Sequence, residues 1–171
     1  MLLLTFFFLW LFGAIVECKT IRYSVYDCDQ DTVDNIINVS ERIEKIACSD
    51  IKLEKVQWGD SVIKCDDISG NTMGWVMPRK NDPYNFIMML EKNMTGFLRD
   101  NVIIHEFGHT LGLEHNCEAG AAMAPMVNTY APQWFNFKEL NQIRKNFPKN
   151  SRTCQNIINA FEYADYGSYR P

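Results

Sequence analysis

The stretch that most constrains this chain is residues 105–115, His-Glu-Phe-Gly-His-Thr-Leu-Gly-Leu-Glu-His. The chain has three histidines, His105, His109 and His115, and all fall here. On an α-helix, His105 and His109 leave one face a turn apart, so two imidazole nitrogens can reach one metal ion. Glu106 follows the first histidine and can hold and deprotonate a water at the metal without ligating it. Gly112, three residues past His109, can take the left-handed conformation that ends a helix and turns the chain back. That turn brings His115 round as the third nitrogen. Three histidines leave the fourth tetrahedral position open, which is the arrangement of a catalytic zinc. Five fixed positions match by chance in such a chain with a probability on the order of one in ten thousand.

Length and charge bound what surrounds the motif. A chain of 171 residues suggests one domain. With 17 basic against 21 acidic residues and no basic block, nothing points to nucleic acid or an anionic membrane surface. Residues 2–16 are an uncharged apolar run, shorter than the roughly twenty residues a bilayer span needs. They read as the apolar region of a secretory signal peptide, residues 1–18, cut after Cys18. An uncleaved signal anchor is the alternative. Residues 19–171 are then one extracellular domain, expected as a monomer and free of the membrane. Five cysteines remain, Cys28, Cys48, Cys65, Cys117 and Cys154. In an oxidising compartment an odd number leaves one unpaired or joined to another chain. None has CxxC spacing, so a cysteine zinc site is not expected. Asn38-Val-Ser40 and Asn93-Met-Thr95 are glycosylation sequons.

The rest of the chain supplies a frame. Ile21–Tyr26 alternates as a first strand. Asp31 reads as the N-cap of a helix over about 32–47, with Ile36, Val39, Ile43 and Ile46 on the core face and Asp34, Asn38, Glu41 and Lys45 opposite. Ile51–Trp58 reads as a second strand and Ser61–Cys65 as a weaker third. Asp66–Asn71 is an acidic loop whose oxygens could hold calcium. Gly74–Met77, ahead of Pro78, reads as an edge strand. Pro83–Asn85 reads as a turn and Phe86–Glu91 as a strand central in the sheet. The motif helix is expected from soon after Thr95 through Leu111, with Leu98 and Val102 facing the core. Asn136 caps a helix carrying Phe137, Leu140, Ile143 and Phe147, which Pro148 ends. Cys154, Ile157, Ile158 and Phe161 suggest one more short helix before a loose tail over 163–171.

This order of elements from about Ile21 to Phe147, with the His105–His115 motif, resembles the catalytic domain of matrixins, the matrix metalloproteinase branch of the metzincins. Gly120-Ala-Ala-Met-Ala-Pro125 is similar to the family's Gly-Ala-Leu-Met-Tyr-Pro segment, and Met123 lies eight residues past His115, as in that family. The resemblance implies an α+β metzincin (zincin-like) fold. A twisted mixed sheet of about five strands would carry the active-site helix, a second long helix, and a C-terminal helix after the methionine turn. It further implies a secreted zinc metalloendopeptidase acting on peptide bonds of extracellular proteins, with Glu106 as general base. Met123 would support the histidine cage from beneath without ligating. Pro125, Met126 and Val127 would wall the pocket for the side chain just after the scissile bond. Gly74, Trp75, Val76 and Met77 would pair with an extended substrate, main chain to main chain. Matrixins also hold a structural zinc, largely on histidines. No histidine is left for it here, so one zinc ion is expected. The stretch before Ile21 is too short for a prodomain and shows no cysteine-switch motif, and no hemopexin-like domain is seen. Cys117 is not a usual matrixin feature, and pairing with Cys154 would tie the zinc loop to the last helix. A catalytically silent binding protein on the same scaffold is the rival reading.

Overall fold

The computed structural model describes residues 19–47, 50–79, 82–118 and 120–147. The expected signal segment, the helix expected around Cys154–Phe161 and the tail lie outside these residues. Among the described residues the chain runs β1 (Lys19–Tyr26), α1 (Gln30–Ala47), β2 (Ile51–Lys55), β3 (Ser61–Asp66), β4 (Gly74–Arg79), β5 (Asp82–Glu91), α2 (Gly96–Thr110) and α3 (Phe137–Asn146). Five strands form one sheet in the order β2-β1-β3-β5-β4. All neighbours are parallel except β4, which runs antiparallel to β5 at one edge. This is the α+β mixed sheet expected of a metzincin.

Helix α1 buries Ile36, Val39 and Ile43 and leaves Asp34, Asn38, Glu41 and Lys45 exposed, as the 3.6-residue period requires. It starts at Gln30, earlier than expected, because Asp29 and not Asp31 caps it. The Asp29 Oδ1 accepts the Thr32 N–H at 2.7 Å, and Oδ2 accepts the Thr32 hydroxyl. The same Thr32 N–H bond leads the effects that hold the Asp29 carboxyl below the usual carboxylate range.

β2 is shorter than the alternation over Ile51–Trp58 suggests, because the chain must cross β1. Tyr23 of β1 pairs with Lys55, the last residue of β2, on one side and with Ser61, the first of β3, on the other. The chain passes over β1 at Gly59, where a Cβ would lie 2.7 Å from the Arg22 carbonyl oxygen and 2.8 Å from the Tyr23 backbone. Only glycine fits that approach. β3 therefore occupies the middle of the sheet, not β5 as the apolar run over Phe86–Glu91 suggests. β5 is an interior strand one place further out. β5 also begins at Asp82, so Pro83–Asn85 is strand and not turn. The pairing there is irregular. Pro78 faces Phe86 while Arg79 faces Asp82, and prolines at 78 and 83 have no N–H for the ladder.

The core joins sheet to helices through Ile21, Tyr23, Ile36, Ile43, Ile63, Met88, Leu90, Ile103 and Phe107, all but fully buried. Tyr23 spans the layers: its hydroxyl bonds Ser40 Oγ of α1 at 2.9 Å and its ring meets Phe107 of α2 edge-on. Burial pushes its phenol up to about 12. A disulfide between Cys28 and Cys65 fastens the entry to α1 onto β3 across a separation of 37 residues. Closing a loop of that size stabilises by about 3–4 kcal/mol through the unfolded chain. A Cys28→Ser/Cys65→Ser variant is expected to lose that amount in denaturant unfolding. Unchanged stability would show that the bond does not hold the fold in solution.

Candidate metal centre and cleft

Helix α2 carries the first half of the centre. His105 and Glu106 are buried, and His109 is half-buried one turn on. The helix ends where the Leu111 N–H reaches back to the Phe107 and Gly108 carbonyls and Gly112 takes φ 79°. A Cβ on Gly112 would meet Asn146 Nδ2 at 2.7 Å, so both backbone conformation and space select glycine. The same Asn146 amide donates to the Leu111 carbonyl at 2.8 Å, so α3 braces the turn that swings His115 back.

The three imidazoles converge on one point. The Nε2 atoms of His105 and His109 are 3.1 Å apart, those of His105 and His115 3.1 Å, and those of His109 and His115 3.2 Å. The opposite ring nitrogens show what these atoms carry. His105 Nδ1 donates to the Ala122 carbonyl at 2.8 Å, and His109 Nδ1 donates to the Leu113 carbonyl at 2.9 Å. A carbonyl oxygen only accepts, so both Nδ1 atoms hold the proton and both Nε2 atoms of the neutral rings present lone pairs. Burial favours that neutral state, pushing His105 down to about 4 and lowering His109. Lone pairs facing one another at this distance repel unless a cation lies between them. A tetrahedral zinc with Zn–N of about 2.0–2.1 Å holds its nitrogens about 3.3–3.4 Å apart. The donor type and the spacing both fit zinc.

Glu106 points into the same space, is 4% exposed, and its Oε2 has no hydrogen-bond partner. Burial raises its carboxyl to about 7. The sequence reading named Glu106 but missed what backs it. A Cβ on Gly74 of β4 would stand 2.9 Å from Glu106 Oε1, 3.0 Å from Cγ and 3.1 Å from Cδ. The bare Cα of Gly74 is what leaves room for this carboxylate.

The second residue missed is Glu139. Its N3 position in a capping box with Asn136 is legible, but its wider role is not. Oε1 accepts from the Met123 N–H at 2.9 Å and from Asn116 Nδ2 at 2.7 Å, while Oε2 accepts from the Asn136 N–H. The Asn116 N–H in turn donates to the Met123 carbonyl. One buried carboxylate thus joins α3, the methionine turn and the residue after His115. Met123 is fully buried, and a Cβ on Gly108 would lie 2.2 Å from its sulfur. That glycine, between the first two histidines, lets the methionine pack directly on α2.

These parts floor a cleft of about 1390 Å³. Gly74, Trp75 and Val76 line it from β4, and Pro125, Met126 and Val127 line it from the segment after Met123. Met77 lies on the same strand, half exposed, but does not line the cleft. Asn38 and Asn93 are exposed, on α1 and in the turn after β5. Two expectations gain no support. Among the described residues the histidines are the only His/Cys/Asp/Glu group of metal-binding spacing. In the acidic loop Lys64 Nζ takes the Asp66 carboxylate at 2.6 Å, so calcium there has no support. Among the described residues Cys117 is a free, exposed thiol, and its expected partner Cys154 lies outside them.

Glu139→Leu leaves the Met123 N–H and the Asn116 amide without their shared acceptor. Metal affinity, read by chelator competition, is expected to fall about 10–100-fold, the usual effect of losing a group that orients ligands. Unchanged affinity would show that the carboxylate does not brace the cage.

The matrixin family model matches residues 41–144, which include α2, all three histidines and most of α3. No curated protein matches the chain. Matrixins are zinc metallopeptidases with protein substrates and are typically secreted. Among the described residues no helix is long and apolar enough to cross a membrane. With more than half its length matched and a three-histidine group able to hold a metal ion, this chain belongs to the matrixin family.

Proposed function

We propose that this protein is a secreted, monomeric zinc endopeptidase that cleaves extracellular proteins. Residues 1–18 are removed as a signal peptide, residues 19–171 form the single mature domain, and Asn38 and Asn93 accept glycans. One observation carries the reading: a buried, unpartnered Glu106 carboxylate oxygen belongs to the same cleft as three converging Nε2 atoms. His105, His109 and His115 would hold one zinc ion, whose Lewis acidity would serve the scissile carbonyl and an attacking water. Glu106 takes the water's proton on its free Oε2 and delivers it to the leaving amine. Burial keeps competing solvent from that oxygen. Gly74–Met77 receives the substrate main chain as an added strand on the β4 edge. Pro125, Met126 and Val127 face the side chain that follows the scissile bond, and Met123 supports the histidines from below.

The test is mature protein against a peptide library, with and without chelator, read by mass spectrometry. Chelator-sensitive cleavage is expected. Zinc retention with no cleavage and no inhibition by a hydroxamate would overturn the enzyme reading in favour of a silent scaffold. Glu106→Ala is expected to keep its zinc and lose about 10²–10⁴-fold in kcat. A variant that cleaves like wild type would remove Glu106 from the mechanism.

The shifted carboxyl makes a separate prediction. A Glu106 pushed up to about 7 still carries its proton at pH 6 in the metal-free protein, whereas His105, pushed down to about 4, is neutral there. A cation in the cage favours the carboxylate, so zinc uptake at pH 6 expels the Glu106 proton. Calorimetry in buffers of different ionisation enthalpy should find about one proton more released by wild type than by Glu106→Gln. Equal release would show that Glu106 is already ionised before the metal arrives.

A further inference from the structure

Asn101 lies one turn ahead of His105 on α2 and is 1% exposed. A buried amide must find partners for both its N–H groups and its oxygen. Asn101 finds all of them in one short segment, just beyond the far wall of the cleft. Its Nδ2 donates to the carbonyls of Asn128 at 2.7 Å and Ala131 at 2.8 Å. Its Oδ1 accepts the Gln133 backbone N–H at 2.7 Å. The segment also closes on itself. The Asn128 N–H donates to Gln133 Oε1, and the Tyr130 and Ala131 N–H groups donate to Asn128 Oδ1. Gln133 Nε2 then donates to the Ala121 carbonyl, two residues before Met123.

Residues 128–133 contain neither helix nor strand, and Tyr130 is 91% exposed. Side-chain amides from Asn101 and Gln133 therefore hold the shape that a ladder or apolar packing holds elsewhere. Thr129 of this segment and Val127 just before it line the cleft together with Leu98 and Val102 of α2, whereas Asn101 does not line it. Any influence of Asn101 on a substrate passes through the loop it holds.

We propose that Asn101 is a positioning residue for substrate selection. It clamps loop 128–133 onto the active-site helix and so fixes the Val127–Thr129 wall that a substrate side chain must fit. The selection half of this inference rests on the endopeptidase reading, while the clamp itself does not. An apolar residue at 101 leaves two carbonyls and one N–H of the loop without partners at a part-buried seam, and the loop moves to hydrate them.

The test compares full-length mature wild type with Asn101→Leu and Asn101→Asp. The aspartate keeps an acceptor for the Gln133 N–H and loses both donors. Amide exchange is read segment by segment, and cleavage is profiled on peptides varied at the residue after the scissile bond. Asn101→Leu is expected to speed exchange across 127–133 about 10–100-fold, the factor that one or two buried hydrogen bonds are worth, with zinc content retained. Exchange in β1 and α1 should stay at wild-type rates. The spread of cleavage rates across the peptides should narrow several-fold, and Asn101→Asp should do the same. Exchange unchanged in the loop, or raised equally throughout the protein, overturns the clamp. A loosened loop with an unchanged cleavage profile overturns the role in selection. If Asn101→Leu does not fold, Gln133→Leu, which cuts the loop's other anchor, must loosen the same segment and flatten the same preference, or the proposal fails. If wild type cleaves no peptide, the endopeptidase reading and the selection role fall together. The clamp then stands or falls on exchange alone.

Discussion

Three imidazole nitrogens held 3.1–3.2 Å apart are the constraint on which the rest of this molecule turns. Left to themselves the rings would separate, because their lone pairs oppose one another and water would solvate each. What keeps them together is the fixing of each ring's other nitrogen or its backbone. The Ala122 and Leu113 carbonyls orient two rings and select their tautomers. The Gly112 turn, braced by Asn146, delivers the third. Such an arrangement is preorganised for a cation, since the cost of gathering the donors has been met by folding.

That preorganisation needs a rigid base, and the sheet provides it. Tyr23 ties β1 to α1 by a hydrogen bond and to α2 by ring contact, so the helix bearing His105 cannot slide without breaking buried contacts. Phe107, between the metal-facing residues, is fully buried on the opposite side of α2. The 3.6-residue period thus divides one helix between core and chemistry. Beneath the cage, Met123 packs against the bare Cα of Gly108, and Glu139 joins the methionine turn to α3. Removing a single atom type at either place would loosen ligands it never touches.

Much of this was legible in the sequence, and the reason is period and spacing. The histidine offsets and Gly112 are local geometry, and local geometry writes itself into adjacent residues. The α1 face and the Asn136 cap were legible for the same reason. The eight-residue step to Met123 was legible only through its likeness to the matrixin segment. What escaped was long-range. The central place of β3 depends on where the chain crosses β1, a fact carried by Gly59 and by no hydrophobic pattern. Asp29 and Asp31 are equivalent as caps on paper, and only the fold decides between them. Glu139 drew no attention because its partners Asn116 and Met123 are distant in sequence. Asn101 gave no signal: an asparagine inside a helix reads as a weak helix former until its loop partners 27 and 30 residues on are known.

The two walls of the cleft are held by different physics, and this has consequences for how such a site can change. The β4 wall stands on a repeated main-chain ladder with β5, from Gly74 opposite Leu90 to Pro78 opposite Phe86. Its position is a property of the sheet, and most side chains along it can vary without moving it. Gly74 is the exception, because its missing side chain is the space in which Glu106 sits. The opposite wall has no ladder and rests on a handful of amide contacts from Asn101 and Gln133. A single substitution there can reshape the cleft while the histidine cage, braced separately through Glu139 and Asn146, stays in place. Variation in what the cleft accepts is therefore concentrated on one side of it, and the chemistry at its floor is insulated from that variation.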